Sequence, residues 1–330
     1  MLTGKMKNSK SDRGLAQDRV DLTRWKHDRD RLVGYDYAGE YNQYKPFFFS
    51  AESNINYADV GIVKGSTAFL IGGGPSFSKI PKEQIDLLNG CKTMVMNNSI
   101  KNFRSDMMIS VDDPSRFLLS AWLDPKIIKY TPFSNAEKPL WDSRHINGKD
   151  RFCPAGFIVR QCPNVYFFRR NSKFHGPRFF TESTINWGCS KHHGGCRSVM
   201  LSALKILFLL GYRKIYLVGV DMSMQNGKKY HFEDGRDPKQ GVRGNNNTYD
   251  RMNKEYMPNI KKEGKRYGFE VFNCNPDSQL KTFDHVPLDK AIIDATLDFG
   301  DVKKEKTEGM YCTYDEKMKI YNQKLTQQPR

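Results

Sequence analysis

Short apolar runs, each closing on small or polar residues, set the rhythm of the central part of this chain. Ala68-Phe69-Leu70-Ile71 runs into Gly72-Gly73-Gly74-Pro75-Ser76 and predicts a buried strand feeding a tight turn. Pro81, suited to a first helical turn, opens a helix carrying Ile85, Leu87 and Leu88 that stops at Gly90. Thr93 to Met96 predicts a second strand closed by Asn97 and Asn98, and Met107 to Val111 a third closed by Asp112-Asp113-Pro114. From 120 to 190 the rhythm lapses into aromatic, basic, proline-dotted sequence, which predicts an insertion or lid more than another sheet layer. It resumes at Gly194-Gly195 with an apolar helix from Ser198 to Leu210, capped by Gly211. Ile215 to Val218 predicts a strand ending in Gly219-Val220-Asp221. A polar stretch, a helix from about 248 to 267 and a last strand at Glu270-Val271-Phe272 complete the pattern.

Strands separated by helices imply an α/β fold, a Rossmann-like parallel sheet flanked by helices. In such sheets ligands bind just beyond the carboxyl ends of the strands. The residues falling there are Gly72, Gly73, Gly74, Pro75, Ser76, Asn97, Asn98, Asp112, Asp113, Gly219, Asp221, Asn275 and Ser278. This set is polar and glycine-rich, as a binding crevice would be. Residues 1–60 read as a basic arm or cap ending near Phe47-Phe48-Phe49, 61–300 as the nucleotide-binding domain, and 301–330 as a charged tail with a frayed helix. No internal repeat is visible.

Composition narrows the partners. The 330 residues carry 53 Lys+Arg against 37 Asp+Glu, a net charge of +16, which favours polyanions such as nucleotides, nucleic acid or acidic membranes. Mean hydropathy is −0.67 and the hydrophobic share 38%, yet 12% aromatic residues argue against a disordered chain. The longest apolar run, Val199 to Leu210, contains Lys205 and is too short to span a bilayer. With a polar opening segment as well, the expected setting is the cytoplasm. Seven cysteines, an odd number, are expected to be reduced thiols.

The glycine turn is the strongest local signal for chemistry, because bare backbone lets an anion approach N–H groups closely. It is neither Gly-x-Gly-x-x-Gly nor a Walker loop, which weakens hydride transfer and P-loop hydrolysis. A plain strand-to-helix turn is the competing reading. Asp112 and Asp113 are hard oxygen ligands that could hold a divalent cation or ribose hydroxyls, although Asp-Asp-Pro is also an ordinary turn. Cys189, His192, His193 and Cys196 have zinc-type side chains, but the spacing matches no standard finger or ribbon and zinc is disfavoured. Beside the Gly194-Gly195 helix start, His193 would instead lie near a bound phosphate or acceptor. Tyr230-His231-Phe232-Glu233 offers a phenol for a leaving phosphate and an imidazole for an acceptor hydroxyl, or else an aromatic loop anchor. No Ser-His-Asp arrangement with usable spacing is present, so acyl hydrolysis is unsupported.

Four segments, FLIGGGPSFSKIP, VMNNS, SVDDPSRF and GGCRSVMLSALKILFLLGYRKIYLVGVDMS, together resemble two related groups. One is the bacterial sialyltransferases of glycosyltransferase family 42; the other is the 6-hydroxymethylpterin diphosphokinase-like group, with its motility-accessory glycosylation factors and phage-encoded members. The resemblance covers roughly 66–280. It implies a nucleotide or nucleotide-sugar donor bound by Gly72, Gly74, Pro75 and Ser76, with Asn97 contacting the donor. It further implies that Gln225-Asn226-Gly227 and Tyr230 form the loop at the leaving phosphate, and that Asn275-Pro276 and Ser278 close the nucleotide site. The chain departs from the sialyltransferases at Gly73, where they carry asparagine, near Met224, where they carry a second tyrosine, and across 244–247, which lacks their histidine. His231 or His193 would then serve as base. The diphosphokinase-like group implies instead Asp112 and Asp221 with Mg²⁺. Three functions follow as expectations: glycosyl transfer to a glycan, protein or modified DNA; pyrophosphoryl transfer to a pterin-like alcohol; and a non-catalytic phage assembly or binding protein. Self-association is left open.

Overall fold

Residues 67–170, 174, 176–181, 185, 198–224, 230–232, 239, 241–297 and 311–319 are described by a computed structural model. Its strands are β1 (Thr67–Ile71), β2 (Thr93–Met96), β3 (Met107–Ile109), β4 (Ile128–Pro132), β5 (Pro139–Ile146), β6 (Lys149–Ile158), β7 (Val165–Phe168), β8 (Lys214–Val218), β9 (Glu270–Asn273) and β10 (Asp284–His285). Eight of them form one sheet in the order β10-β9-β8-β1-β2-β3-β4-β7, and every pairing is parallel. β1 and β2 are buried at every position, which explains their uninterrupted apolar runs: a parallel sheet is covered on both faces. The fold is α/β and Rossmann-like.

Helices α1 (Lys82–Leu88), α2 (Leu119–Leu123), α3 (Val199–Leu209), α4 (Val242–Arg251), α5 (Met257–Gly264) and α6 (Leu288–Leu297) cover the sheet. α3 is buried from Met200 to Phe208, which is why all but Ser202 and Lys205 of that stretch are apolar. Ser198 caps its start by accepting from the Met200 amide at 3.2 Å, and Gly211 follows its end at φ 99°. The buried Lys205 places its ammonium 6.0 and 5.8 Å from the rings of Phe179 and Phe208. On the other face Asp294 of α6 accepts from Lys214 Nζ at 2.7 Å and Tyr216 OH at 2.6 Å, fixing that helix to β8. Among the described residues no helix is long and apolar enough to cross a membrane.

Three expectations are corrected. Residues 120–190 do not form only an insertion: β4 and β7 belong to the main sheet, and the antiparallel hairpin of β5 and β6 is what departs from it. The helix expected over 248–267 starts at Val242 and contains a π-helical turn at Met252–Tyr256. Pro258 explains that turn, since it has no N–H for a regular helical bond and its ring crowds the preceding carbonyls. β9 is followed by a further short strand, β10, at the sheet edge. In the tail, considered by itself, residues 314–319 are helical, with Glu316 accepting from the Thr313 amide at 2.8 Å.

The strand order places a switch point between β1 and β8. From β1 the chain moves outward through β2, β3 and β4 to β7, then returns to β8 on the other side of β1. Connections leaving β1 and β8 diverge there, which is where parallel α/β sheets commonly bind ligands, beyond the carboxyl ends of the strands.

Candidate functional site

Pairing between β1 and β8 continues past the strands into the two glycine turns. Gly72 N donates to Val218 O and Gly74 N to Gly219 O, both at 2.7 Å. A Cβ at Gly72 would stand 2.6 Å from Gly219 O, and one at Gly74 would stand 2.6 Å from Asp221 Cγ. The neighbouring turn thus requires these two glycines, whatever binds outside them. Gly73 differs: its missing Cβ would meet Tyr230 Cδ1 at 3.1 Å and Phe232 Cε1 at 3.2 Å.

Asp221 latches three elements together. Its carboxylate accepts from Ser76 N at 3.0 Å, from Ser76 Oγ, and from Asn275 Nδ2 at 2.8 Å. Its carbonyl accepts from Gln279 N at 2.9 Å, and Ser278 Oγ donates to Val220 O at 2.6 Å. This changes the open phosphate cradle expected at Gly72–Ser76. The amides of Gly72, Gly74 and Ser76 are engaged and Pro75 has none, which leaves Gly73 N–H as the turn's available donor among the described residues.

Two residues beside this turn adopt left-handed backbone at a cost. Asn97, directly after β2, has φ 54°, and Met222, directly after Asp221, has φ 51°. Such conformations cost a side chain about 1–3 kcal/mol and cluster at binding sites. The buried Asn97 Oδ1 also lacks a hydrogen-bond partner.

His231 lies against the turn. Its amide donates to Gly73 O at 3.0 Å, and its ring packs 4.6 Å from that of Phe77. Asn102 Nδ2 donates to His231 O at 2.6 Å and lies 3.1 Å from Nδ1. Because the amide nitrogen only donates, Nδ1 accepts and the ring proton resides on Nε2. Burial pushes the imidazole down to about 4, with the Gly72 carbonyl and Asp221 pulling weakly the other way. Tyr230 stacks on Phe232 with centroids 5.0 Å apart, forming the wall that faces Gly73.

Tyr249 on α4 was not anticipated from sequence. Its half-buried phenol is raised well above the ordinary range by burial, then by nearby Tyr230 and Asp221. Asn246 accepts from Met224 N at 2.8 Å and donates to Met224 O at 3.0 Å, tying α4 to the loop after β8. That is the use of the 244–247 stretch where the resemblance implies a histidine.

The residues expected to hold a divalent cation are each engaged by other groups. Asp113 accepts from Ser115 N at 3.1 Å and pairs with Lys138 at 3.1 Å, while Asp112 faces Arg116 at 3.6 Å. Asp221 is saturated by the donors already described. Among the described residues no group of three or more His, Cys, Asp or Glu is arranged to hold a metal ion. Cys91, Cys153, Cys162, Cys274 and Cys312 are free thiols. His193, Gly194 and Gly195, with Cys189, His192 and Cys196, lie outside the described residues, as do Gln225-Asn226-Gly227 and the 1–60 arm.

No protein-family model and no curated protein matches the sequence. Among solved structures, the fold is similar to the sialyltransferase CST-II, determined in complex with a trisaccharide acceptor and CMP. The identity is 13% and the TM-score 0.35, over 72% of this chain and 89% of that one.

Proposed function

We propose that this chain is a nucleotide-dependent transferase that moves a sugar from a nucleotide-activated donor to an acceptor, with the donor held in the crevice between β1 and β8. The observation that carries the reading is Gly73 at the switch point. The space its missing Cβ leaves borders the stacked Tyr230 and Phe232, its N–H is available among the described residues, and Asn97, just after the adjoining strand, has a buried, unpartnered acceptor. A nucleotide supplies phosphate oxygens for the first and hydroxyl or amino donors for the second. Tyr230 is suited to donate to the leaving phosphate, a contribution of positioning and charge stabilisation. His231 is a weak base at about 4 with a buried Nε2, so its role is to hold Gly73 and Tyr230 in place. The acceptor would be a glycan, a protein or nucleic acid.

A second reading, a binding protein that keeps the fold without the chemistry, is favoured by one observation: the imidazole is shut away from any acceptor. Pyrophosphoryl transfer has less support, because Asp112 and Asp221 are both engaged. A thermal-shift screen with CMP, UDP, GDP and ATP, each with and without Mg²⁺, followed by hydrolysis assays on the matching nucleotide sugar, tests these readings. Stabilisation by a nucleotide together with sugar release supports the transferase. Stabilisation without turnover supports the binding protein, and no stabilisation by any nucleotide overturns both uses of the crevice.

A further inference from the structure

A second cleft, of about 250 Å³, opens at the carboxyl ends of β9 and β10 under the loop that joins them. Asn273, Ser278, Lys281, Phe283 and His285 line it. Asn273 is only 2% exposed; its Oδ1 accepts from Asn275 N at 3.1 Å, but its Nδ2 has no partner. A buried amide that keeps one end bonded and the other bare is uncommon, because the unmade bond goes uncompensated. We propose that this cleft binds a small oxyanion group, the phosphate or carboxylate of a small molecule, with Asn273 Nδ2 as its inner donor.

The remaining polar groups decide the sign of the ligand. The acceptors around the cleft are in use: Pro276 O takes Lys281 Nζ at 3.1 Å, and Asn275 Oδ1 takes the Asp277 amide at 3.0 Å. Ser278 Oγ donates to Val220 O and accepts from the Leu280 amide. The acid at the rim, Asp284, pairs with Lys261 at 3.0 Å. Apart from the second oxygen of the exposed Asp284, the side-chain groups that remain are donors. Lys281 keeps two further N–H groups, and His285 is the register partner of Asn273 across β9 and β10, so both side chains lie on one face. The apolar walls, Leu280 and Phe283, leave room for a small carbon skeleton. The cleft shares Asn275, Pro276 and Ser278 with the turn that the resemblance assigns to the nucleotide site, but its donors Asn273, Lys281 and His285 are not among the residues used in the transferase reading, so the two readings fail separately.

The test titrates the full chain, free of nucleotide, with inorganic phosphate and with acetate while the Asn273 side-chain amide is followed by NMR. Saturable shifts in the millimolar range are expected. Phosphate binding tighter than acetate identifies a phosphate ester as the ligand type, and the reverse order a carboxylate. Asn273→Asp keeps the acceptor for Asn275 N but removes the donor, and should weaken binding about tenfold or more. Should that variant fail to fold, Lys281→Ala and His285→Ala, both at exposed positions, carry the test and should each weaken binding several-fold. Tyr230→Phe, in the other crevice, should leave it unchanged. No shift of the Asn273 amide with either anion up to ~50 mM, beyond the expected millimolar range, overturns the proposal. So does binding that survives Asn273→Asp, Lys281→Ala and His285→Ala alike.

Discussion

Ser76 and Asp221, 145 residues apart in sequence, are joined twice: the Ser76 amide and the Ser76 hydroxyl both donate to the Asp221 carboxylate. The link locks the turn after β1 to the turn after β8, so the geometry of both turns depends on one half-buried carboxylate as much as on the glycines. Hydrogen bonds to a charged acceptor are among the stronger ones in proteins.

Asp221→Ala should therefore destabilise the fold by about 1.5–3 kcal/mol, since it leaves the donors of Ser76 and Asn275 unpaired. Urea unfolding with an unchanged slope checks this. A loss within error would mean that the latch contributes little to holding the two turns.

Gly74 and Gly73 should respond differently to alanine. At Gly74 the new methyl meets Asp221 and the Gly219 carbonyl at under 3 Å, so folding should weaken by about 1–3 kcal/mol. At Gly73 its nearest neighbours are the rims of the Tyr230 and Phe232 rings, at 3.1 and 3.2 Å. Gly73→Ala should keep most of the stability and lose nucleotide affinity. Calorimetry of both variants separates the two roles, and equal stability losses would contradict them.

His231 gives the protein an acid-side weakness. The folded imidazole titrates near 4 while the unfolded one titrates near 6.5, so between these values only the unfolded chain takes up the proton. Stability present above pH 6.5 is lost progressively as pH falls toward 4. His231→Gln, which cannot be protonated, should flatten this part of the profile. Comparing urea midpoints at neutral pH and at ~pH 4.5 reads the difference.

On the alkaline side, burial lowers Lys129 to about 8 from 10.5, while burial raises Cys162 to about 11 from 9.0. Below 8 both states carry the lysine proton; as pH rises past 8 the folded state sheds it first, so Lys129 makes stability rise with pH. Above 9 the unfolded chain loses the Cys162 proton first, which works in the opposite direction. Wild type should therefore gain stability between pH 8 and 9 relative to Lys129→Met. Parallel profiles for the two proteins would show that Lys129 titrates normally.

Much of the sheet could be read from sequence because its strands bury both faces: Thr93–Met96 has the expected limits, and β1 and β8 each gain one residue at the start. β4 escaped that reading because Lys129 and Thr131 interrupt its apolar pattern. The tertiary structure buries both at 0% exposure, with Lys129 Nζ donating to Asp124 O at 2.6 Å. The hairpin went unread, although Asn147 and Gly148, at φ 52° and 73°, form the two-residue turn their identities favour.

For the site, sequence determined which small and polar residues stand at the strand ends, because a parallel sheet aligns those ends on one edge. It did not determine which of their atoms are available. Gly74 is glycine because Asp221 occupies the space beside it, and His231 is a poor base because Phe77 and Asn102 enclose it. Those facts depend on partners far away along the chain, and periodicity carries no information about them. Asn273 belongs with them: as a sequence position it merely ends a strand, whereas its unpaired, buried amide exists only once β9, β10 and their loop have packed.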